Sequence, residues 1–413
     1  MIGRESDVCI IGAGPAGSVA AMFLAKAGIP CTVIDKATFP RDKICGDAIS
    51  GKVIEVLDDI DSAIVHRLMR EPVQLDSHGV TFVAPNLKSL RVPFKSPEES
   101  VSTTPPGFVS RRMDFDHFLV REMQLMPKVT LLQGVEASSY SRDNETWIIR
   151  NKSGEVICEA RLLLVADGAQ SRFTRHVAGE AMNPRHHSGA VRGYYRGVTG
   201  MDEENFIELH FLKPLLPGYF WIFPLPNGWA NVGAGMRSDV IGRKRINLKQ
   251  AVHDIIQSTP QLKSRFSKAT LHGELQGFGL PLGSAKRRFS GDGYMLLGDA
   301  ASLIDPFTGE GIGNAVVSAR LAASVTERAL TAGNLGASFL TQYDDAISKT
   351  LRKELTLSGR LQALIRYPWL FNMVVNKASR NAWLRDTISL MYEDVDLRKK
   401  LKQPGFYLKL LFS

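Results

Sequence analysis

The stretch Asp7-Val-Cys-Ile-Ile-Gly-Ala-Gly-Pro-Ala-Gly17 constrains this chain more than any other. An apolar run, Val8 to Ile11, leads directly into Gly12-x-Gly14-x-Ala16-Gly17 and then into a segment of helical character, Ser18 to Ala27. Strand, glycine turn and helix in that order are the context a dinucleotide fingerprint requires. Gly12 permits the tight turn, Gly14 lets a pyrophosphate approach the backbone, and Gly17 lets helix and strand pack closely. Free amides at the helix start would face the phosphates. A second apolar run, Cys31 to Ile34, ends at Asp35, where a carboxylate would accept from an adenosine ribose hydroxyl. A tight turn without a ligand needs neither the acid nor the spacing, so a dinucleotide site is expected.

A chain of 413 residues exceeds the size at which a single core stops growing, and two or more lobes are expected. No apolar run approaches the roughly 20 residues that span a bilayer, and the first strand starts too early for a secretory leader. The expected location is the cytoplasm. The four cysteines, Cys9, Cys31, Cys45 and Cys158, form no disulfide framework and no pair with metal-ligand spacing, so no metal is expected. The net charge of +9 comes from dispersed Lys and Arg without a recognisable nucleic-acid module, which argues against nucleic acid as a partner.

After Asp35, the segment Lys36 to Gly51 is too charged and glycine-rich for a core element. It reads as a loop, either solvated or ordered over a site, ending at a helix with Ser50 as its cap. Short strands are expected between Val73 and Phe94, and a Pro/Ser/Thr-rich loop from Ser96 to Gly107. A helix over Phe115 to Gln124, capped by Asp114, precedes strands at Val129 to Leu132, Glu136 to Tyr140, Thr146 to Arg150 and Val156 to Cys158. Leu162 to Ala166 is continuously apolar, as a buried parallel strand should be, and ends at Asp167-Gly168. From Ser188 to Gln276 the strands are aromatic and alternating, with one helix over Leu248 to Gln257, which suggests an antiparallel second lobe. Tyr294 to Leu297 then returns to a buried strand ending at Gly298-Asp299. A turn at Asp305-Pro306-Phe-Thr-Gly309-Glu-Gly311-Ile312 follows, then a long helix, Gly313 to Leu330, and helical segments broken at Pro368. Gly233-Ala-Gly235 lacks the third glycine and the following helix, so it is no second nucleotide site.

The fold class is therefore α/β, α+β overall. A Rossmann-like domain over 1–72, 105–185 and 277–335 interleaves with an antiparallel-sheet substrate domain over 73–104 and 186–276, and a C-terminal helical region covers 336–413. Three strand ends, at Gly12, Asp167 and Gly298, would converge on one extended ligand. Amides at the start of the helix after Gly309 to Ile312 would present positive dipole to that ligand.

The glycine fingerprint, Asp167-Gly168 and Gly298-Asp299 resemble the three signatures of the flavoprotein hydroxylase superfamily, whose members bind extended FAD. The resemblance implies that Asp35, with Lys36 beside it, contacts the adenosine ribose. It implies that Arg111 lies near the pyrophosphate, that Val135 lends backbone to the adenine, and that Asp299 holds a pyrophosphate or ribityl oxygen. Pro40-Arg41-x-Lys43-x-Cys45-Gly46-x-x-Ile49-Ser50 resembles the Cys-Gly loop of the geranylgeranyl reductase family. Pro217-Gly-Tyr219-Phe-Trp221-Ile-Phe223-Pro224, followed by Asn231-Val-Gly233, resembles its aromatic strand. On that likeness the cofactor set extends to Arg41, Gly46, Ala48, Pro306, Gly309, Gly311 and Ile312. Tyr219, Trp221 and Phe223 share one strand face, and they serve either as a substrate wall or as ordinary core.

The family likeness implies a reductase of carbon–carbon double bonds on a polyprenyl lipid or quinone side chain, with hydride delivered from flavin N5. An isolated alkene accepts hydride poorly, so a proton on the opposite carbon should assist. Cys45 is the first candidate for handling it, beside Arg41 and Lys43, and Asp47 the second. Cys45 is otherwise a packed thiol. Electrons would come from reduced nicotinamide visiting transiently, or from an electron-donor protein. A monooxygenase or halogenase is the alternative. The Trp-x-Trp-x-Ile-Pro strand of halogenases reads Tyr219-x-Trp221-x-Phe223-Pro224 here, which argues against halogenation and leaves hydroxylation open. A non-enzymatic flavin sensor has no supporting motif. Peripheral contact with the inner face of the membrane is expected if the tail Leu397 to Phe412 is an interfacial anchor; a docked terminal helix would have the same composition. Oligomeric state and the exact lipid stay open.

Overall fold

A computed structural model describes residues 4–94 and 105–381. The expected tail anchor at Leu397 to Phe412 lies outside the described residues. No helix among the described residues is long and apolar enough to cross a membrane.

The first sheet runs in the order Ser290–Gly291, Tyr294–Leu296, Val156–Val165, Arg4–Ile11, Cys31–Asp35, Val129–Gln133. The pairings from Tyr294–Leu296 to Val129–Gln133 are parallel. Val8, Cys9, Ile10 and Leu162 to Val165 are wholly buried, because helices cover the sheet and leave no face of these strands to water. Helix Pro15–Lys26 packs between Arg112–Leu125 and Ile312–Thr331. The two expected strands Val156 to Cys158 and Leu162 to Ala166 are one. The first half of Val156–Val165 pairs antiparallel with Thr146–Arg150, and the second half parallel with Tyr294–Leu296. The strand expected at Glu136 to Tyr140 instead covers Ser139–Asp143. A tight turn with Asn144 at φ +51° sets its register against Thr146–Arg150.

The second sheet has the order Thr270–Pro281, His187–Arg196, Trp229–Arg237, Tyr219–Leu225, Ile207–His210, Gly79–Val83, Ser89–Pro93. It is antiparallel except where Ile207–His210 meets Gly79–Val83. The expected domain limit at residue 276 falls inside Thr270–Pro281, which pairs with His187–Arg196 through to Pro281. Helices Ser238–Lys244 and Pro260–Arg265 join the expected one, Leu248–Ser258, in this lobe. A third sheet, Ala48–Ser50, Gly107–Ser110 and Gln74–Asp76, bridges the lobes, so the expected loop after Asp35 contains a strand.

One expected helix start is corrected, and one expected cap stands in place without its bond. The helix placed at Phe115 begins at Arg112, with Asp114 inside its first turn rather than capping it. The reason is an i,i+4 pair. The Arg112 guanidinium donates Nε to Asp116 Oδ1 at 2.7 Å and Nη2 to Oδ2 at 2.6 Å, and both side chains are buried. Ser50 precedes helix Gly51–Asp58 at the cap position but makes no capping bond, because its hydroxyl donates to Glu310. Helices Ala337–Thr350, Arg352–Ile365 and Pro368–Ala378 follow, and Pro368 starts the last of them.

Arg41 Nη1 donates to the same Asp116 at 2.6 Å, so one carboxylate holds a helix and the loop before the small sheet. Burial alone would raise the Asp116 carboxyl, but Arg112 and Arg41 outweigh it and hold it below the usual range. Removing one member of a buried pair strands a charge, so Asp116→Ala should lower unfolding free energy by about 3–5 kcal/mol, read from urea denaturation at pH 7. A carboxyl depressed by folding stabilises above its unfolded pKa and loses that stabilisation as pH falls. The difference between wild type and variant should therefore shrink below about pH 4.

Candidate functional site

The three strand ends do meet. Gly12 has φ +100°, and a Cβ there would lie 2.4 Å from the Ala166 carbonyl oxygen, so the turn admits only glycine. A Cβ on Gly17 would fall 1.8 Å from the Gly12 oxygen, which is how closely helix and strand pack. Gly14 is different, since a side chain there would meet nothing nearer than Arg41 Nη2 at 3.8 Å. The helix Pro15–Lys26 has no side-chain cap, which leaves its first amides free beside that open space. Asp35 accepts from the Ala13 and Ala37 amides, each at 2.7 Å, and its own carbonyl accepts from the Val135 amide at 3.0 Å.

At the second strand end, Asp167 is pushed up to about 6 by burial, against hydrogen bonds from Ser171 and backbone and the charge of Lys36. Its Oδ1 is buried without a partner among the described residues. At the third, Gly298 is wedged between Ala16 and Ala315, while Asp299 pairs with Lys43 Nζ at 3.4 Å. Lys43 Nζ also lies 3.8 Å from where a Gly168 side chain would begin, so this lysine spans two strand ends. The next turn is organised by Asp305, fully buried, whose Oδ1 accepts from the Phe307 and Thr308 amides at 2.8 Å each. It delivers Gly311 to the start of Ile312–Thr331, again with no side-chain cap. The Pro306 carbonyl is taken by Gln362 Nε2 at 2.6 Å. Two uncapped helix starts and an orphaned carboxylate oxygen around one cleft are what an extended flavin dinucleotide requires, and the residues present fit FAD.

The cleft continues into a cavity of about 2130 Å³. Gly14, Ala16, Gly168, Asp299, Gly309, Gly311 and Ile312 line it at one side, and Cys45, Gly46, Asp47 and Ala48 cross its middle. Tyr219, Trp221 and Phe223 form a wall with Phe82, Leu209 and Leu280, and helices Arg352–Ile365 and Pro368–Ala378 contribute the far side. The wall residues are at once core and lining. Gly233 explains part of this, because a Cβ on it would meet the Trp221 indole at 2.3 Å. Arg111 is not in this lining: its guanidinium lies between the rings of Tyr194 and Trp229, at 4.7 and 4.9 Å from their centroids. Arg112 lines the cavity instead, with its charge facing the Cys45 thiol.

Behind the wall, Asn231 accepts from Trp221 Nε1 at 2.9 Å. It donates to the Cys45 carbonyl at 2.7 Å and to Asp47 Oδ2 at 2.9 Å. The Tyr194 hydroxyl donates to the same Oδ2 at 2.8 Å. Asp47 is completely buried, at φ +69°, and its Oδ1 has no partner among the described residues. Burial pushes its carboxyl up to about 6 despite the bonds from Asn231 and Tyr194 and the charges of Arg192 and Arg112. Tyr194, Arg192 and Arg112 do not stand out in the sequence, and Asn231 enters there only as part of a motif. A polar residue in an alternating apolar strand is the available signal for Asn231.

A family profile described as an FAD binding domain matches residues 5–200. A menaquinone reductase of Mycobacterium tuberculosis is 30% identical over 338 residues, covering 78% of this chain and 77% of that relative. Digeranylgeranylglycerophospholipid reductase 2 of Methanopyrus kandleri is 31% identical over 353 residues, 83% and 82% of the two chains. In structure, a geranylgeranyl bacteriochlorophyll reductase-like protein of Thermoplasma acidophilum matches with a TM-score of 0.78 and 25% identity, covering 90% of this chain and 91% of that one.

Gly12→Ala would force a Cβ into backbone rather than into a movable side chain. The purified variant should carry little flavin absorbance per mole of protein and fail to recover it on incubation with FAD.

Proposed function

Because the chain belongs to the geranylgeranyl reductase family of FAD-dependent oxidoreductases, we propose that it reduces carbon–carbon double bonds of a polyprenyl chain carried by a lipid or quinone. The observation that carries the reading is Asp47, whose buried carboxyl is held just behind the loop Cys45 to Ala48 that lines the apolar cavity together with the turn Gly309 to Ile312. FAD, when bound, supplies the pair of electrons with one hydrogen. Gly12 to Gly17 and Asp167-Gly168 would hold its dinucleotide end, and Gly309 to Ile312 its ring end.

Saturating an alkene takes a second hydrogen as a proton, and a residue must place it on the opposite carbon. Asp47 suits this better than Cys45. Oδ2 is fixed by Tyr194 and Asn231, so the proton resides on the unpartnered Oδ1. Once it leaves, the carboxylate retains two hydrogen bonds and faces the positive charges of Arg192 and Arg112. The apolar wall of Tyr219, Trp221 and Phe223 orients the chain and excludes water that would otherwise protonate nonspecifically. Two-electron donation to the enzyme comes from outside, through a nicotinamide or an electron-donor protein.

Anaerobic reduction of the bound flavin followed by geranylgeranyl lipid should reoxidise the flavin and yield a product heavier by two hydrogens per bond, seen by mass spectrometry. Unchanged flavin and unchanged lipid would sink the reading, and oxygen consumption coupled to an oxygenated product would replace it with a monooxygenase. An acid with a raised pKa works while protonated, so single-turnover reoxidation should fall as pH rises through about 6. Asp47→Asn should slow it by about 10²–10⁴-fold and flatten that profile. Cys45→Ser should retain the profile.

A further inference from the structure

Among the described residues, three of the most exposed large apolar side chains fall within six positions: Leu364 (44%), Tyr367 (44%) and Trp369 (67%). They sit at the corner where helix Arg352–Ile365 turns into Pro368–Ala378. Arg366 stacks its guanidinium over Tyr367, 4.9 Å from the ring centroid. From Leu355 to Asn381 the sequence contains Arg360, Arg366, Lys377 and Arg380 and no acidic residue. Aromatic rings with one apolar and one wet edge, beside arginines, form the composition that settles at a lipid–water interface.

The inner side of this corner is the cavity. Leu361, Leu364, Leu370 and Phe371 line it, so Leu364 is both exposed and lining, while Tyr367 and Trp369 are exposed outside the lining. The corner is anchored to the second lobe: the Asn86 amide donates to Asn372 Oδ1 at 3.1 Å, and Phe371 packs on Phe211 with centroids 4.8 Å apart.

We propose that this corner docks on an anionic phospholipid surface and is the point at which a polyprenyl chain passes from bilayer to cavity. The inference rests on the polyprenyl reading above, and it places membrane contact in described residues rather than in the tail. Basic charge in a stretch without acids selects an anionic bilayer over a neutral one.

The test uses the full-length flavoprotein, wild type against Trp369→Ser/Arg366→Gln, with vesicles of phosphatidylcholine alone or with phosphatidylglycerol. Neither residue lines the cavity. Flavin content and circular dichroism confirm folding, and Tyr367→Ser serves in place of the double variant if it misfolds. Wild type should sediment with the anionic vesicles, and the variant should bind them about tenfold or more weakly. Reoxidation of reduced flavin should be lost for geranylgeranyl lipid embedded in vesicles and kept for the same lipid dispersed in detergent. Equal vesicle binding by both proteins overturns the docking surface. So does a change in oligomeric state on substitution, which would assign the corner to a second copy of the chain. Trp369 already shielded from a soluble quencher without vesicles also overturns it, because the corner would then be covered in the free protein. If no alkene is reduced in either medium the functional reading fails, while sedimentation still decides whether the docking surface exists.

Discussion

One buried amide, that of Asn231, carries more of this site than any charged group. Wholly shielded from water, it accepts from the Trp221 indole and donates to the Cys45 carbonyl and the Asp47 carboxylate. Aromatic wall, crossing loop and acid are thus fixed by a single side chain with no lone donor left over. In a low-dielectric interior such a satisfied network specifies one arrangement, since breaking any arm strands a buried polar group. The left-handed backbone at Asp47 is held in place by these bonds together with the Ser110 amide, which donates to the Asp47 carbonyl at 3.0 Å.

The loop that Asn231 grips is tied in three further directions. Arg41 reaches Asp116, Asp42 reaches Arg192 at 2.7 Å, and Lys43 reaches Asp299. These contacts run to a helix of the first sheet's layer, to the second sheet, and to the third strand end. The bond to Asp116 is the sturdiest, because that carboxylate is fully buried, whereas the Lys43 pair is longer and partly exposed and contributes little on its own. The loop is therefore positioned by many weak ties around one strong one, which keeps Cys45 to Ala48 at the boundary between cleft and cavity.

Much of this is legible in the chain. Gly12 to Gly17 and the apolar runs ending at Asp167 and Asp299 read directly, because parallel buried strands and the glycine turn each impose local composition. Boundaries set by distant partners do not read. The start of the helix at Arg112 depends on a pair with Asp116, the strand Ala48–Ser50 exists only by pairing with Gly107–Ser110, and the direction of Arg111 is set by two aromatic rings far along the chain. The Asp47 environment is hidden for the same reason. Its neighbours Asn231, Tyr194 and Arg192 come from strands about 145 to 185 positions away, and no local pattern announces a carboxyl that folding will bury.

An acid pinned this firmly cannot follow its substrate. The cavity is large and mostly apolar, whereas the Asp47 carboxyl is one fixed point behind its lining loop. A polyprenyl chain presents its double bonds in series, so under the proposed reaction it must be threaded past that point one isoprene step at a time. Saturation then becomes a matter of reach. The depth to which the chain can be drawn beyond the Trp221 wall sets which bonds are reduced and which persist in the product, much as the length of a lathe bed sets how much of a rod can be turned.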